Sequence, residues 1–576
     1  MHMKTRFRLI IGALLAILAS SCSDGMKEDL SSDKSVYLTA TIDDGTFQTR
    51  TTISPNGDIY NVHWQENDCI AVFADKDTEF SKFSLVSGAN SSMGVFRGVC
   101  SQPQDSYLAI YPYDVVQGRS ANAITLEIGA TQLYQASGIS PNSLLMYACG
   151  KPGSLNFYNL GSVLRLQLTG RTMLKSVTVS SNDDRVIAGE ATLAFSDNQF
   201  PEIAFGETGS REIVLDCDGI VLEENRIKEM NIVIPYGTYE SGLTLTFNTY
   251  AGTFTKTIDR SVTFERAQIR SVKPFVVEGE MPSPEMRSER QLWYKTKNGK
   301  RCSIAEGSAF NAAVISHTYS NDWGIVCFDK APTRINGRVF AEPESITELY
   351  LPESVEYIGM YAFSGVSVTE INFPKSLESL GVDAFSQCKG VKSIVVPEGV
   401  RSLGLEVFGG CTALEYVTLP STLEVTEPYA FLNCDNLVRF IGDTKFISPD
   451  GRCFFTNSAY GAMSEPETLD KVAGKGLETY TLPDNVLYLQ NYAMSGCNEL
   501  RELTIHENVK SCAADPFPLS GNLKIVNVQA VAPPYIQFDH ELKGIETIYV
   551  PEESVMLYQS AEGWSYLRSL IRAGNW

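Results

Sequence analysis

The sequence is poor in histidine, with five histidines among 576 residues. They are far apart along the chain: His2, His63, His317, His506 and His540. Motifs of the nucleophile-elbow, HExxH and phosphate-loop kinds are missing as well. Catalysis and metal binding need such groups in fixed combinations, so we expect no enzyme, no metal site and no cofactor.

Basic residues are in deficit. Lys and Arg number 47 against 68 Asp and Glu, which gives a formal net charge of −21. So acidic a surface repels the phosphate backbone of nucleic acids, and we expect no nucleic-acid partner. The same charge is also explained by the need to keep an exposed protein soluble.

The chain lacks an apolar run of the roughly 20 residues that a membrane-spanning helix needs. Its longest apolar segment follows a basic start and runs from Leu9 to Ala19, just before small residues and Cys22. This order is typical of a secretory leader, which we place at residues 1–21. Leu18 to Cys22 resembles a bacterial lipobox, whose cleavage leaves Cys22 as a lipid-bearing amino terminus. An ordinary signal peptide with an incidental cysteine is the alternative.

Residues 22–34 are polar and form a short tether in this interpretation. Acidic residues lie close behind Cys22, and in some Gram-negative lipoproteins such residues favour surface display. We therefore expect a lipid-anchored protein of the outer membrane that faces the cell surface.

A repeat of 22 or 23 residues organises the second half of the chain. Four turns read LPESVEYIGMYAF, FPKSLESLGVDAF, VPEGVRSLGLEVF and LPSTLEVTEPYAF. Each turn is marked by one residue after its strand: Pro352, Pro374, Pro397 and Pro420, and in weaker turns Asp329, Asp443, Pro483, His506, Gln529 and Pro551. Such a period indicates a solenoid.

Apolar residues recur six, three and one positions before each marker, as in Ile346, Leu349 and Leu351. The last two alternate with polar positions, which predicts a short strand in each turn with one face inward. Another apolar column follows three residues after the marker, and Ala-Phe pairs such as Ala384-Phe385 follow ten residues after it. One turn cannot bury these columns alone, whereas stacked turns form a continuous core.

The repeat resembles the BspA-like leucine-rich repeat family, whose unit is LPxSVxxIGxxAFxxCxxLxxI. The flanking segments LWYKTKNGKRC and VAPPYIQFDHELKGIETIYVPEESVMLYQSAEGW are similar to the caps of that family. We expect the solenoid over residues 291–576. An enlarged turn adds an insertion near 446–476, which we expect to extend from one side as a loop or hairpin. It is either part of a binding face or a neutral bulge.

Four cysteines occupy one position of the repeat. Cys388, Cys411, Cys434 and Cys497 each lie 14 residues after a marker. Stacking places them in a column, where cysteine acts as a small apolar residue. We expect buried thiols here rather than disulfides or zinc ligands.

The first half of the chain, from Ser35 to Glu278, has short runs rich in β-branched and aromatic residues, broken by Gly, Asn, Asp and Pro. Examples are SVYLTATI, CIAVFA, SYLAIYP, VLRLQL and LTLTF. This pattern predicts strands. We expect a mainly β protein with two β-sandwich domains, 35–160 and 161–277, joined to the solenoid by a linker over 278–290.

This half resembles the fimbrillin-like lipoproteins, the major and minor fimbrial subunits. The resemblance rests on the order and spacing of Thr49-Arg50-Thr51, WQENDCIAV from Trp64, YLAIYPY from Tyr107, and Ile234-Pro235. In that family, polymerising subunits are cut after an arginine beyond the lipidated segment, which frees a groove for a neighbour's donor strand. Arg50 stands where such a cut would fall. A plain surface arginine is the alternative.

Residues four and two positions before each marker point away from the solenoid core. They form a ribbon of strands about 4.8 Å apart. We predict that a partner binds on it through Glu348, Tyr350, Glu370, Asn372, Tyr416, Thr418, Thr481 and Tyr549. Tyrosine supplies flat amphipathic area, which is enriched at recognition surfaces. Each residue is alternatively an ordinary surface residue of a strand.

The sequence thus favours a lipid-anchored, adhesin-like or fimbria-associated protein that binds a host or bacterial surface protein through its repeat face. The resemblance to BspA-like proteins implies adhesion to matrix proteins or to other cells. Two alternatives stay open. One is a surface glycan-capturing accessory lipoprotein, and the other is a structural fimbrial anchor or tip subunit that associates with fimbrial subunits.

Overall fold

A computed structural model describes most of the chain. The described residues are 35–42, 62–74, 78–100, 105–120, 122–136, 138–140, 142–195, 200–305, 307, 309–459, 462–517, 521–536 and 544–574. The described chain is mainly β, as the sequence predicts.

The amino-terminal half contains strands β1 to β22, with short 3-10 helices at Tyr113–Val115 and Pro284–Met286. The strands are β1 (Ser35–Ile42), β2 (Cys69–Ala74), β3 (Ser81–Ser87), β4 (Met93–Val99), β5 (Tyr107–Tyr111), β6 (Val116–Arg119), β7 (Ala123–Ile128), β8 (Thr131–Leu133), β9 (Met146–Gly150), β10 (Leu155–Asn159), β11 (Gly161–Gly170), β12 (Thr172–Ser181), β13 (Gly189–Ala194), β14 (Glu202–Phe205), β15 (Glu212–Leu222), β16 (Lys228–Pro235), β17 (Gly237–Tyr239), β18 (Leu243–Thr249), β19 (Thr253–Ile258), β20 (Val262–Phe264), β21 (Ile269–Ser271) and β22 (Phe275–Val277).

The first sheet closes into a barrel in the order β1-β10-β9-β5-β2-β3-β4. β1 closes it, because this strand pairs antiparallel with β4 and parallel with β10. Trp64 fills the interior, with its ring centroid 4.9 Å from that of Phe96 and 5.2 Å from that of Phe157. The sequence predicts a sandwich in this range. Side-chain alternation shows which residues face inward but does not show whether a sheet closes on itself.

The second β unit, residues 161–277, has two packed sheets. One has the order β16-β11-β21, with β22 also on β11, and the other has the order β19-β18-β12-β15-β8. Side chains of both sheets, such as Leu166, Val177 and Leu245, share one buried core. This is the arrangement of a sandwich.

The two amino-terminal ranges share sheets. β7 pairs antiparallel with β13, and β8 pairs parallel with β15, although residue 160 separates these strands in the predicted domains. The division at residue 160 stays a prediction. Strands β7 and β8, which precede residue 160 in the chain, pair with strands that follow it.

The carboxy-terminal half contains β23 to β44, helix α1 (Val555–Ser560), and 3-10 helices at Pro343–Ser345, Glu552–Ser554 and Trp564–Leu567. The strands are β23 (Gln291–Thr296), β24 (Val314–Ser320), β25 (Trp323–Phe328), β26 (Arg334–Ile335), β27 (Ile346–Tyr350), β28 (Tyr357–Ile358), β29 (Ser379–Leu380), β30 (Ser393–Val395), β31 (Ser402–Leu403), β32 (Tyr416–Thr418), β33 (Val425–Thr426), β34 (Arg439–Ile441), β35 (Cys453–Ala459), β36 (Ala462–Val472), β37 (Thr479–Thr481), β38 (Tyr488–Leu489), β39 (Glu502–Ile505), β40 (Ser511–Cys512), β41 (Ile525–Val528), β42 (Tyr535–Ile536), β43 (Thr547–Val550) and β44 (Ile571–Ala573).

The repeats stack as a solenoid with parallel strands on two faces. The first face, which we call the ribbon, holds the predicted strands in the sheets β30-β32-β34 and β37-β39-β41-β43-β44. The second face holds short strands in the order β26-β28-β29-β31-β33. The sequence pattern does not predict these strands, because two residues are too few to show alternation.

The weak first turn differs from the prediction. Its strand β25 belongs to an antiparallel sheet, β24-β25-β23-β27, that caps the stack. The turn at Pro374 also lacks a regular strand, and Asn372 forms only an isolated bridge with Tyr350.

The predicted core columns are buried at most positions, although Ile371, Phe373, Leu477 and Tyr480 are only half-buried. Phe363, Phe385, Phe408 and Phe431 are buried in one stack, with successive ring centroids 5.3, 6.3 and 5.6 Å apart. The column of buried thiols is confirmed. The Sγ of Cys411 donates to the carbonyl of Phe385 at 3.3 Å, and that of Cys434 to the carbonyl of Phe408 at 3.2 Å, so each of these two coils is bonded to the coil before it.

The insertion is a hairpin of β35 and β36. We expected it to extend from one side, but its base lies inside the stack. β36 pairs parallel with β38, so it stands in the place of a coil on the second face. The reason is burial of its apolar side chains: Cys453, Phe454, Phe455, Leu469 and Val472.

Residues 278–290 are not a loose linker. Arg287 donates to the carbonyl of Leu351 at 2.8 Å in the first coil. Arg290 donates to Asp216 at 2.7 Å in the second β unit. The segment therefore binds to both of its neighbours.

Across the residues that the structure describes, we find no helix with the length and apolar character needed to cross a membrane.

Candidate docking surface

The ribbon presents alternate side chains of its strands to solvent. Of the predicted partner-binding residues, Glu370, Asn372, Tyr416 and Thr481 are exposed. Thr418 and Tyr549 are half-buried between neighbouring strands. These six positions lie on one face because each stands at an outward position of its coil.

Glu348 and Tyr350 have other contacts. Lys295 Nζ lies 3.2 Å from Glu348 Oε1 in an ion pair. The Tyr350 ring packs edge-on against Trp323, with centroids 5.6 Å apart, and Arg287 lies over its other side. Burial, followed by the nearby charge of Glu285, raises the pKa of Tyr350. Tyr350 packs against the cluster that joins the second β unit to the solenoid, and Glu348 pairs with the cap strand β23, so the open surface begins at Glu370.

The ribbon is interrupted at the insertion. Its two sheets end at β34 and begin again at β37. The loop that precedes β35 is bound there: Tyr480 donates its hydroxyl to Asp450 Oδ2 at 3.0 Å and lies 3.2 Å from Cys453 Sγ. Thr481 and Tyr549 therefore lie on a different section of the ribbon from Tyr416 and Thr418.

The most exposed apolar side chains of the first section were not among the predicted residues. Val395 is 63% exposed and Ile441 is 45% exposed, beside Tyr416 at 42%. Val395, Thr418 and Ile441 are directly opposite one another on adjacent strands. The repeat pattern points to both residues, because each stands two positions before a marker and therefore at an outward position of its strand.

The second face carries aromatic side chains that the sequence analysis did not consider. Tyr535 and Tyr488 are exposed. Arg334 lies 4.3 Å from the ring centroid of Tyr357 and covers it.

Among the described residues, no group of three or more His, Cys, Asp and Glu side chains is placed to hold a metal ion. The described cysteines are free thiols. Burial raises the pKa of the Cys434 thiol well above its ordinary value. Such a thiol stays protonated and is a poor nucleophile and metal ligand.

Comparison with protein families identifies the repeats. Residues 333–460 and 473–539 match the BspA type leucine rich repeat region, in six copies. The carboxy-terminal half thus carries BspA-type leucine-rich repeats. The match leaves out much of the insertion, where the hairpin replaces a coil. The resemblance of residues 35–277 to fimbrillin-like lipoproteins stays a prediction.

Several solved structures are similar to parts of the chain. A leucine-rich repeat protein from Bacteroides ovatus is 19% identical with a TM-score of 0.29, over 38% of this chain and about half, 53%, of that one. A proposed cell adhesion protein from Bacteroides ovatus is 14% identical with a TM-score of 0.29, over 43% of this chain and 92% of that one. Another from Bacteroides uniformis is 16% identical with a TM-score of 0.28, over 43% and 95%. At these TM-scores the structures carry no argument about function. No curated protein matches the chain.

Two predicted sites lie outside the described residues. They are the lipidation site Cys22 and the processing site Arg50. Both stay predictions.

Proposed function

We propose that the protein is a lipid-anchored, cell-surface adhesin that binds a protein partner through the ribbon of its BspA-type repeats. The observation that carries the proposal is the exposed row of apolar and polar side chains on preformed strands. A rigid face loses little conformational entropy on binding, so few contacts suffice for recognition. In this proposal the amino-terminal β units hold the ribbon away from the lipid at Cys22.

The adhesin proposal is tested with the full-length protein without its leader. We expect it to bind immobilised extracellular-matrix proteins or whole bacterial cells more strongly than it binds a glycan array. Binding confined to glycans would favour the glycan-capturing alternative. No binding to any of these surfaces would contradict the proposal.

The anchor is tested in cells. Growth with an alkyne-labelled fatty acid should label the wild-type protein, and Cys22→Ala should remove the label and release the protein from membranes. Protease treatment of intact cells should degrade the wild-type protein if it faces outward. Unlabelled wild-type protein, or protein that resists the protease, would contradict the anchor or the orientation.

One observation favours a second candidate, a subunit of a fimbrial polymer. β1 closes the barrel and precedes Arg50 in the chain, and its Leu38, Ala40 and Ile42 are buried. A cut at Arg50 would separate β1 from the rest and open the barrel between β4 and β10. Mass spectrometry of the protein from cells tests this. A mature chain that begins after Arg50 favours the polymer, and a chain that begins at Cys22 excludes it.

A further inference from the structure

A single row of side chains crosses the solenoid at its amino-terminal end. Ile325 stands opposite Trp293, and Trp293 stands opposite Tyr350. Tyr350 bridges to Asn372 in the next coil. Directly opposed residues of neighbouring strands share a face of a sheet, so these side chains are the beginning of the ribbon surface.

The first part of this row is covered by the second β unit. Trp293, Ile325 and Cys327 form a buried cluster with Met173 and Val221 of that unit. All five side chains are fully buried. The ribbon face is thus already a surface on which a folded β structure docks.

Polar contacts surround this cluster. The Cys327 thiol donates to the carbonyl of Gly219 at 3.2 Å. Arg290 donates to Asp216 Oδ1 at 2.7 Å and forms a second, shorter ion pair with Asp218. The docked surface combines aliphatic side chains with carboxylates. The repeat side supplies the apolar residues, and the arginine is Arg290, which directly precedes β23 and whose carbonyl accepts from the N–H of Phe328 in β25.

The same combination recurs uncovered farther along the ribbon. Val395, Thr418 and Ile441 stand at outward positions opposite one another on β30, β32 and β34. On β32 and β34, Tyr416 also stands opposite Arg439. Arg439 is exposed. An apolar group beside a cation therefore occurs twice, first at the start of the solenoid, where the second β unit occupies it, and then on the open ribbon.

We propose that Val395, Tyr416, Arg439 and Ile441 form the principal docking patch of the ribbon, and that it takes a protein surface with aliphatic side chains beside a carboxylate. This inference rests on the proposed function, because it names the partner chemistry of the same ribbon. A second copy of the chain cannot offer the Met173 and Val221 surface, which is buried against its own solenoid. A glycan would need a flat aromatic platform; Tyr416 is the single aromatic residue of the four, and Val395 and Ile441 beside it are aliphatic.

The patch is tested by selecting a displayed library of random peptides on the full-length protein. We expect enrichment of peptides in which aliphatic residues stand next to Asp or Glu. Val395→Ser and Ile441→Ser should each weaken binding of these peptides about tenfold or more, as at the centre of an interface. Arg439→Gln should weaken the binding of the acidic peptides and reduce the salt dependence of that binding.

Val531→Ser is the matched control. Val531 is 56% exposed, close to Val395 at 63%, but it lies beyond β41, outside the patch. This variant should bind the selected peptides as the wild type does. All four side chains are exposed and can be changed without disturbing the core, so loss of binding is not loss of folding.

Several results would overturn the patch. One is equal binding of the selected peptides to the wild type and to Val395→Ser, and another is enrichment without acidic residues. A third is self-association that Ile441→Ser abolishes in sedimentation, which would make a second copy the occupant. If the wild type and Val395→Ser bind matrix proteins equally, the adhesin proposal stands and the patch fails. If the wild type binds neither proteins nor peptides, both fail.

Discussion

The carboxylate of Asp470 accepts a hydrogen bond from the backbone N–H of Tyr429 at 2.7 Å. In a regular coil this N–H finds a backbone carbonyl of the next coil, as Tyr361 does with Val382 at 3.0 Å. At the inserted hairpin, a side chain takes the place of that carbonyl. The contact between the hairpin and the preceding coil therefore depends on a buried titratable group.

Asp470 should make stability depend on pH. Burial raises the pKa of Asp470 to about 7 from 3.8, against the lowering effect of the Tyr429 hydrogen bond. Because the folded pKa is the higher one, the stabilisation is full below about pH 4 and is lost as the pH rises through 7, by about 4 kcal/mol in all. Urea unfolding across this range should show the wild type losing stability relative to Asp470→Asn.

The Asp470→Asn variant keeps an oxygen that can accept from Tyr429 but does not titrate. Asp470→Ala removes the acceptor and should cost about 1–3 kcal/mol at any pH. Parallel pH profiles for the wild type and Asp470→Asn would show that this carboxyl does not titrate in the folded protein near neutrality.

Gly219 should be essential for the contact between the second β unit and the solenoid. Its φ is +98°, and an added Cβ would lie 1.6 Å from Gln291 Nε2. Gly219→Ala should displace Gln291, break its 3.0 Å hydrogen bond to the Asp218 carbonyl, and expose residues 278–290 to protease. Limited proteolysis followed by mass spectrometry measures the cleavage rate in this segment.

Gly252→Ala is the matched control for Gly219. Gly252 also has a positive φ, +150°, but nothing lies within 4 Å of its added Cβ. It shares the backbone strain without the clash and should leave cleavage of residues 278–290 unchanged. Equal cleavage of both variants would attribute the effect to strain alone.

The thiols should differ sharply in reactivity. Cys149 is exposed, whereas Cys388, Cys411 and Cys434 are buried. Thiolates are the reacting species. The contact with the Cys388 thiol, followed by burial, raises the pKa of Cys411, and burial raises the pKa of Cys434, so these two thiols stay protonated. Iodoacetamide should modify Cys149 in the native protein and all four residues in urea, as read by peptide mass spectrometry. Native labelling of Cys411 at the rate of Cys149 would contradict the buried column.

The phenylalanine stack should contribute strongly to the solenoid. Phe408 is fully buried, with its ring centroid 6.3 Å from that of Phe385 and 5.6 Å from that of Phe431. Phe408→Ala should lower the free energy of unfolding by about 3–5 kcal/mol. Phe408→Leu keeps most of the apolar volume and should cost less than about 1.5 kcal/mol. Urea denaturation measures both losses of unfolding free energy. Similar losses for the two variants would show that the position does not depend on apolar side-chain volume.

The repeats were predictable from the sequence because most coils bury the same positions. Ile394, Val417 and Leu503 stand at equivalent places and are all buried. If the residues of a coil were shifted along the chain by one position, its apolar side chains would leave their columns and become exposed. The period of the repeat therefore determines how the coils stack.

The barrel and the contact between the two halves could not be predicted in this way. They depend on residues far apart in the chain, such as Met173 against Trp293, which no local period relates. The dependence on distant residues also explains why the candidate docking surface was predicted only in part. Tyr350 has the outward position of its coil, but the second β unit covers its surroundings, so a local pattern assigns it to the open ribbon.

The contact between the second β unit and the solenoid also decides how the molecule responds to pulling. In the proposed adhesin, a cell held through the ribbon in flowing liquid would pull on the chain between the lipid proposed at Cys22 and the bound partner. Met173 and Val221 are buried against the solenoid, and Arg290 forms ion pairs with the second β unit. Such tension would therefore have to break this contact before it could extend residues 278–290.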